Sequence, residues 1–279
     1  QPAAGDAGGA LGAALLTWYN ELKNNRAVNN NDSMKGAYLG PKYNADEIHK
    51  SLSKLNAKFK KFNDNVIIEK TANFIKEGKA VGWFQGRMEF GPRALGARSI
   101  IADPRSSTMK KILNLKIKYR ESFRPFAPSI LREELHNWFE LDQDSDYMLF
   151  VGDVKKEIRL KISESDKNLL GIDKLYIKNS LIPAVTHVDF SSRIQTVNSN
   201  TNPKYHSLLS YFNKITNCPI LVNTSFNIRG EPIVCSPSDA FNCFMGTDLD
   251  ILVIENFILV KDDQIVKDSK DYQKKYPLD

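Results

Sequence analysis

Arginines set among glycines open the chemistry of this sequence. In Gly86-Arg87-Met88-Glu89-Phe90-Gly91-Pro92-Arg93-Ala94-Leu95-Gly96 the glycines let backbone approach a ligand, and Arg87 and Arg93 offer planar, bidentate donors to an anion. The string has neither the Lys-Ser/Thr of a P-loop nor the glycine spacing of a dinucleotide fingerprint. On residue types alone it is either an anion site or a turn that carries surface arginines. In Lys118-Tyr119-Arg120 an extended backbone places both cations on one face. Arg124 then sits before two prolines that frame it rigidly, and Glu121 either orients a cation or makes a surface ion pair of small worth. Asn223-Thr224-Ser225-Phe226-Asn227 follows an apolar strand, where α/β sheets place ligands, although its side chains also suit a self-bonded turn. His187 and Asp189 alternate onto one face near Arg193 and Gln195, but no third ligand is close in sequence, which favours a structural His–Asp pair over a metal. There is no nucleophile-elbow sequence for a serine hydrolase.

The charge is concentrated where these strings begin. From Arg87 to Arg124 there are six arginines and four lysines against Glu89, Asp103 and Glu121, a sum of +7 in a chain whose net charge is +6. The remainder therefore sums to −1, and such concentration favours a polyanion, nucleic acid or a nucleotide with a phosphate co-substrate, whereas a charge cluster alone reads better as a solvated basic face. A chain of 279 residues buries about three quarters of its extended surface, enough for one large or two small domains. Hydrophobic residues at 42% and charged residues at 26% fit a globular protein, and no apolar run nears the roughly 18 residues of a membrane helix. Gln1-Pro2-Ala3-Ala4-Gly5-Asp6 has no basic n-region of a signal peptide. Cys218, Cys235 and Cys243 are an odd set without metal-ligand spacing and read as reduced thiols, so the expected location is the cytoplasm.

The elements that must position these residues alternate between strand and helix. Gly8 to Leu22 reads as an Ala/Leu-rich helix, Asn24 to Lys42 as a polar linker, and Asp46–Leu55 and Ile67–Lys76 as amphipathic helices. Strands are expected at Ala80–Phe84, Arg98–Ala102, Ala127–Leu131, Tyr147–Val151, Ala184–Val188 and Ile220–Asn223, with a closing hairpin of Ile251–Ile254 and Phe257–Val260. Ser106 or Ser107 is expected to cap a helix that runs to about Ile117, and Glu133–Phe139 and Tyr205–Asn213 read as helices. Ser236-Pro237-Ser238-Asp239 opens another, with Ser as cap, Pro at the first position and Asp at the positive end. Lys155–Asn179 is charged, lacks clean period and reads as an insertion. The sum is an α/β domain on a mixed sheet.

Taken together, the strings Gly82 to Gly96, Arg120-Glu121-Ser122-Phe123-Arg124-Pro125-Phe126-Ala127-Pro128, Thr186-His187-Val188-Asp189, and Asn223 to Asn227 with Gly230-Glu231-Pro232-Ile233 closely resemble the nodulation-type (NodU/CmcH) carbamoyltransferases, over nearly the whole chain from Pro2 to about Lys261. The resemblance implies a carboxy-terminal domain of YrdC-like fold, a twisted mixed sheet with flanking helices and a concave ligand face. Its hallmark Lys-x-Arg and Ser-x-Asn are here Lys118-Tyr119-Arg120 and Ser225-Phe226-Asn227. By the same resemblance the domain binds ATP and carbamoyl phosphate and joins them as carbamoyl adenylate with Mg²⁺. Lys118, Arg93 and Ser225 are the implied catalytic residues, and Arg87, Arg120, Arg124, Met148, Arg193, Asn223 and Asn227 hold nucleotide or substrate. Phe190 stands where relatives usually carry glycine.

Gly5-Asp6-Ala7-Gly8-Gly9-Ala10-Leu11-Gly12 resembles the end of that family's metal-binding, Kae1-like domain, in which the aspartate joins a His-x-x-x-His pair on iron. The four histidines here, at 49, 136, 187 and 206, supply no such pair, so Asp6 is an iron ligand only with the amino-terminal domain as partner. The resemblance divides the chain into a Kae1-like remnant at 1–25, linker and short helix at 26–65, a YrdC-like domain at 66–262, and a polar tail at 263–279. The expected partners are carbamoyl phosphate and, in a longer protein, a hydroxyl acceptor; neither nucleic acid nor membrane is expected. Two alternatives stay open: a threonylcarbamoyl-adenylate synthase of tRNA modification, which shares the Lys-x-Arg/Ser-x-Asn pair, and a non-catalytic RNA-binding module that uses the basic stretch.

Overall fold

The computed structural model describes residues 5–28, 32–265 and 272–276. The chain opens with α1 (Asp6–Leu16), prolonged by a π-type turn over Thr17–Glu21. Asn44 starts α2 (Ala45–Lys54) through a capping box, accepting from the Asp46 and Glu47 amides while its own amide donates to the Glu47 carboxylate at 2.7 Å. A two-residue strand, β1 (Lys60–Lys61), precedes α3 (Asp64–Lys76), which Asn63 caps. There follow β2 (Val81–Phe84), β3 (Arg98–Ala102), α4 (Met109–Ile112) with a π-type turn at Leu113–Ile117, β4 (Ala127–Leu131), α5 (Leu135–Trp138), β5 (Phe139–Glu140) and β6 (Phe150–Val154). The rest is α6 (Glu164–Lys167), β7 (Ser191–Val197), α7 (Pro203–Thr216), β8 (Ile220–Ser225), α8 (Pro237–Met245), β9 (Ile251–Ile254) and β10 (Phe257–Val260).

The strands form one ten-stranded mixed sheet in the order β1-β10-β9-β2-β3-β8-β4-β7-β6-β5. Only β2 with β9 and β4 with β7 pair in parallel; the other neighbours are antiparallel. Every residue of β2, β3 and β9 is buried, so both faces of the sheet centre are covered, and the helix pairs α3 with α7 and α2 with α8 pack there. At one edge both lysines of β1 are exposed, which discourages pairing with another chain. The expected α/β architecture, a mixed sheet with flanking helices, is therefore the observed one.

Several local expectations are corrected. Ala184–Val188 is not a strand: Ser180 Oγ and Thr186 Oγ1 lie 2.7 Å apart, and Thr186 Oγ1 donates to the Ile182 carbonyl at 2.9 Å, folding the segment into a turn. The strand there is β7, which polar residues hide because Ser192, Gln195 and Thr196 are buried by hydrogen bonding and not by hydrophobicity. The strand expected at Tyr147–Val151 lies at Phe150–Val154, since Met148 takes a positive φ of 55°. Thr108, and neither Ser106 nor Ser107, stands at the cap of α4, without a capping side-chain bond. Lys118-Tyr119-Arg120 is not extended. Lys118 ends the π-type turn in helical geometry, and Tyr119 is left-handed at φ 49°.

Gly96 shows how tightly the glycine-rich loop is seated. It has φ 102°, and a Cβ there would lie 2.3 Å from Cδ1 of the fully buried Tyr205. Backbone strain and overpacking add, so Gly96→Ala should lower stability by about 3 kcal/mol, read as a fall in the urea midpoint. An unchanged midpoint would show that Tyr205 can move aside.

Candidate anion-binding cleft

The basic stretch does not form one surface patch. Arg98 is fully buried, donates to the carbonyls of Gln85, Gly86, Ala97 and Pro41, and stacks 3.5 Å from the Phe84 ring centroid. Arg105 pairs with Asp103 at 2.6 Å, and the buried Lys110 donates to the Thr186 carbonyl at 3.4 Å. These three cations hold the fold. Arg87 is exposed and donates to the Gly40 carbonyl at 3.0 Å, and exposed Arg124 pairs with Glu121, which also holds Arg229, each at 3.0 Å.

Arg93 and Arg120 of that stretch converge with Arg193 of β7. Pro92, Arg93, Ala94, Arg120, Pro125, Phe126, Ala127, Met148, Arg193, Asn223, Thr224 and Ser225 line a cleft with about 480 Å³ of empty space over β8, β4 and β7. Larger clefts lie beside α3, one of about 770 Å³ against β10 and one of about 910 Å³ near β9, but neither gathers these strings; convergence of donors, not size, singles out the smaller one.

A buried carboxylate shapes the loop that carries Arg93. Glu89 accepts the amides of Leu95 at 2.6 Å, Ala97 at 2.8 Å and Arg98 at 3.3 Å, while burial pushes its pKa above the usual carboxylate range. Tyr38 and Gln195 donate to the Leu95 carbonyl at 2.7 and 2.8 Å, and Asn223 to the Ala94 carbonyl at 3.0 Å. Main-chain bonds from Phe90 to Ala37 and from Met88 to Pro41 anchor the same loop to the polar stretch upstream. Tyr38 was not among the sequence candidates; nothing in its local string distinguishes it from a surface tyrosine.

Arg120 is aimed by Asn114, whose Oδ1 accepts its Nε at 2.7 Å, and by Phe126, whose ring centroid is 5.0 Å from the guanidinium. Asn114 also donates to the carbonyls of Ser122 and Arg124, and so it organises the whole turn. Its signal was a polar residue within the apolar run Ile112-Leu113-Asn114-Leu115. Burial, then Arg124, pushes Arg120 down to about 10; burial, then Arg93, lowers Arg193, whose buried Nε has no partner among the described residues. The lining contains no carboxylate; Glu121, outside it, only partly offsets the effect on Arg120. Opposite them, Met148 packs with Ala37, Leu95 and Ala127 as an apolar wall.

Lys118 lies beneath Ser225 and does not line the cleft. Its Nζ donates to the carbonyls of Ser225 (2.8 Å) and Asn227 (2.7 Å), to Asn227 Oδ1 (2.6 Å) and to Ser225 Oγ (3.2 Å). Ser225 Oγ in turn donates to Asn227 Oδ1 at 2.6 Å. The Lys-x-Arg and Ser-x-Asn strings, distant in sequence, thus meet directly: Lys118 clamps the second while Arg120 reaches the cleft.

His187 Nδ1 meets Ser191 Oγ at 3.1 Å, and that hydroxyl donates to Asp189 at 2.7 Å, a local turn. Among the described residues no cluster of three His, Cys, Asp or Glu could hold a metal ion. Asp6 opens α1, but its side chain lies outside the described residues. Phe190 adopts φ 65°, a conformation suited to glycine, and its ring lies under the Arg159 guanidinium at 4.6 Å. No helix among the described residues is long and apolar enough to cross a membrane.

Residues 72–261 match the family described as carbamoyltransferase C-terminus. An uncharacterized protein of Synechocystis, sll1178, is 54% identical across 100% of this chain and 46% of its own length. The nodulation protein NolNO of Sinorhizobium fredii is 42% identical over 94% of this chain and 35% of its own. The 3'-hydroxymethylcephem-O-carbamoyltransferase of Streptomyces clavuligerus is 38% identical over 58% and 27%. The chain thus spans less than half the length of these relatives, and by the match over its sheet and cleft it belongs to the carbamoyltransferase C-terminus family.

Proposed function

We propose that this domain binds ATP and carbamoyl phosphate and joins them as carbamoyl adenylate, which a neighbouring amino-terminal domain then transfers to a hydroxyl. The observation that carries this is the carboxylate-free cleft in which Arg93, Arg120 and Arg193 converge, where burial, then the neighbouring Arg93, lowers the pKa of Arg193. Carbamoyl phosphate gives up phosphate to water; a carbamate oxygen then bonds to the α-phosphorus of ATP, and pyrophosphate leaves. Each partner is anionic, and fixed guanidiniums stabilise charge gathering in the transition state. Ser225, held by Lys118 and Asn227, offers its hydroxyl at the cleft wall, and Met148 offers an apolar surface to a base.

A cleft without carboxylates does not suit a protein-held Mg²⁺; the ion would arrive on the phosphates. Iron belongs to the proposed amino-terminal partner, with Asp6 as a contributing ligand. A hydroxyl acceptor is supported by the cephem relative, named for a 3'-hydroxymethyl substrate. An RNA-binding role gains nothing from the structure, because Arg98, Arg105 and Lys110 are spent inside the fold.

Calorimetry at low salt should detect ATP binding to the 279-residue chain with Mg²⁺, and radiolabelled pyrophosphate should exchange into ATP only when carbamoyl phosphate is present. Absence of both, in this chain and in the longer protein, would sink the assignment.

A further inference from the structure

The family match ends at residue 261, yet a described segment beyond it, 272–276, is built into the back of the Lys118–Ser225–Asn227 cluster. Tyr272 is only 8% exposed, and its ring lies against Gly246, where a Cβ would come within 2.2 Å of Tyr272 Cγ. The Tyr272 hydroxyl donates to Oε1 of buried Glu231. The other carboxylate oxygen of Glu231 accepts the Ile228 amide at 2.8 Å, and its carbonyl accepts Asn227 Nδ2 at 2.6 Å. Asn227 Oδ1 then receives Ser225 Oγ and the Lys118 ammonium, each at 2.6 Å.

A second grip acts on the other signature string. The Tyr119 hydroxyl donates to the Gly246 carbonyl at 3.0 Å and bonds the Gln273 side chain. Tyr119 is the left-handed residue whose turn sends Lys118 inward and Arg120 to the cleft. One short segment therefore braces both strings from behind.

We propose that Tyr272 is a positioning residue: through Glu231 it fixes Asn227, and with it the orientation of Ser225 at the cleft wall. Asn227 cannot turn its amide without losing either the Glu231 carbonyl on one side or Ser225 and Lys118 on the other. The Glu231 loop that presents that carbonyl is shaped by the carboxylate's hold on the Ile228 amide. Removing the hydroxyl leaves a buried carboxylate oxygen short of a donor, and the carboxylate then shifts, carrying the loop with it. The geometric claim stands apart from the proposed chemistry; its consequence for catalysis rests on that proposal.

The test is Tyr272→Phe in the full chain, which keeps the ring on Gly246, with Glu231→Gln as a second variant that leaves Tyr272 intact. In ¹⁵N spectra the Ile228 amide and the Asn227 side-chain amide should shift in both variants, while the Ile48 amide in α2 stays in place. Carbamoyl phosphate-dependent exchange should fall about tenfold in kcat with KM for ATP held, as expected when a reacting group is misaimed rather than a ligand lost. Unshifted Ile228 and Asn227 signals would overturn the proposal whatever the activity, and shifted signals with unimpaired kcat would reduce Tyr272 to packing. If the unaltered chain shows no exchange, the proposed chemistry fails, and the spectra alone decide the positioning role.

Discussion

Lys118→Met is expected to reduce carbamoyl phosphate-dependent exchange by about 10³-fold, because one side chain sets both Ser225 and Asn227. Methionine matches the stem but strands acceptors in a nearly closed site, each costing about 1–3 kcal/mol, so the Ser225–Asn227 segment should also loosen. Lys118→Arg should rescue poorly, since a planar fork cannot meet oxygens gathered round a point charge. Exchange that persists in Lys118→Met would show that the chemistry lies elsewhere.

The same lysine predicts a pH dependence of stability. Burial, then the Arg120 guanidinium, pushes the Lys118 ammonium from the usual 10.5 down to about 7. The unfolded chain therefore holds this proton more tightly than the folded one between those values. The penalty is full below pH 7 and is relieved as pH rises toward 10.5, so wild type should gain stability relative to Lys118→Met across that window. The slope approaches about 1.4 kcal/mol per pH unit, and urea unfolding at two pH values within the window measures it. A difference that shrinks with rising pH would mean that the ammonium is not desolvated as its burial indicates.

Arg193→Ala should lower ATP affinity or exchange by about 10²-fold, roughly 3 kcal/mol, if its fork meets a phosphate or carbamoyl oxygen. Arg193 sits on β7 opposite Val151 of β6, a rigid mount, so the loss should come without a fall in melting temperature. Relieving the crowding with Arg93 should even favour the unliganded fold slightly. Arg193→Lys should recover little, because the bidentate contact is lost while the charge is kept. Unchanged affinity together with unchanged exchange would remove Arg193 from the site.

How much of this was legible in the chain follows from what kind of information each part needs. The buried strands β2, β3, β4, β8, β9 and β10 were readable because apolar runs report burial directly, and α8 because Ser236, Pro237 and Asp239 are local cap chemistry. β7 was not readable, since its interior is filled by polar groups whose partners are distant: Gln195 meets Ser129 and Asn223, and Thr196 meets Ser145. The turn of Lys118-Tyr119-Arg120 was misread for a related reason. Its left-handed residue is held by Gly246, 127 positions away.

By itself the sequence determined the α/β class, the family and the short list of residues able to meet an anion, because residue types and local strings carry that information. Which cations are free to do so was decided only by the tertiary structure. Arg98, Arg105, Lys110 and Lys118 are chemically as apt for phosphate as Arg93, Arg120 and Arg193. They differ in the acceptors that folding brings to them: carbonyls for Arg98, Lys110 and Lys118, a carboxylate for Arg105, and an open, carboxylate-free cleft for the other three. A charge is committed or available according to its neighbours in space, and those neighbours come from every part of the chain.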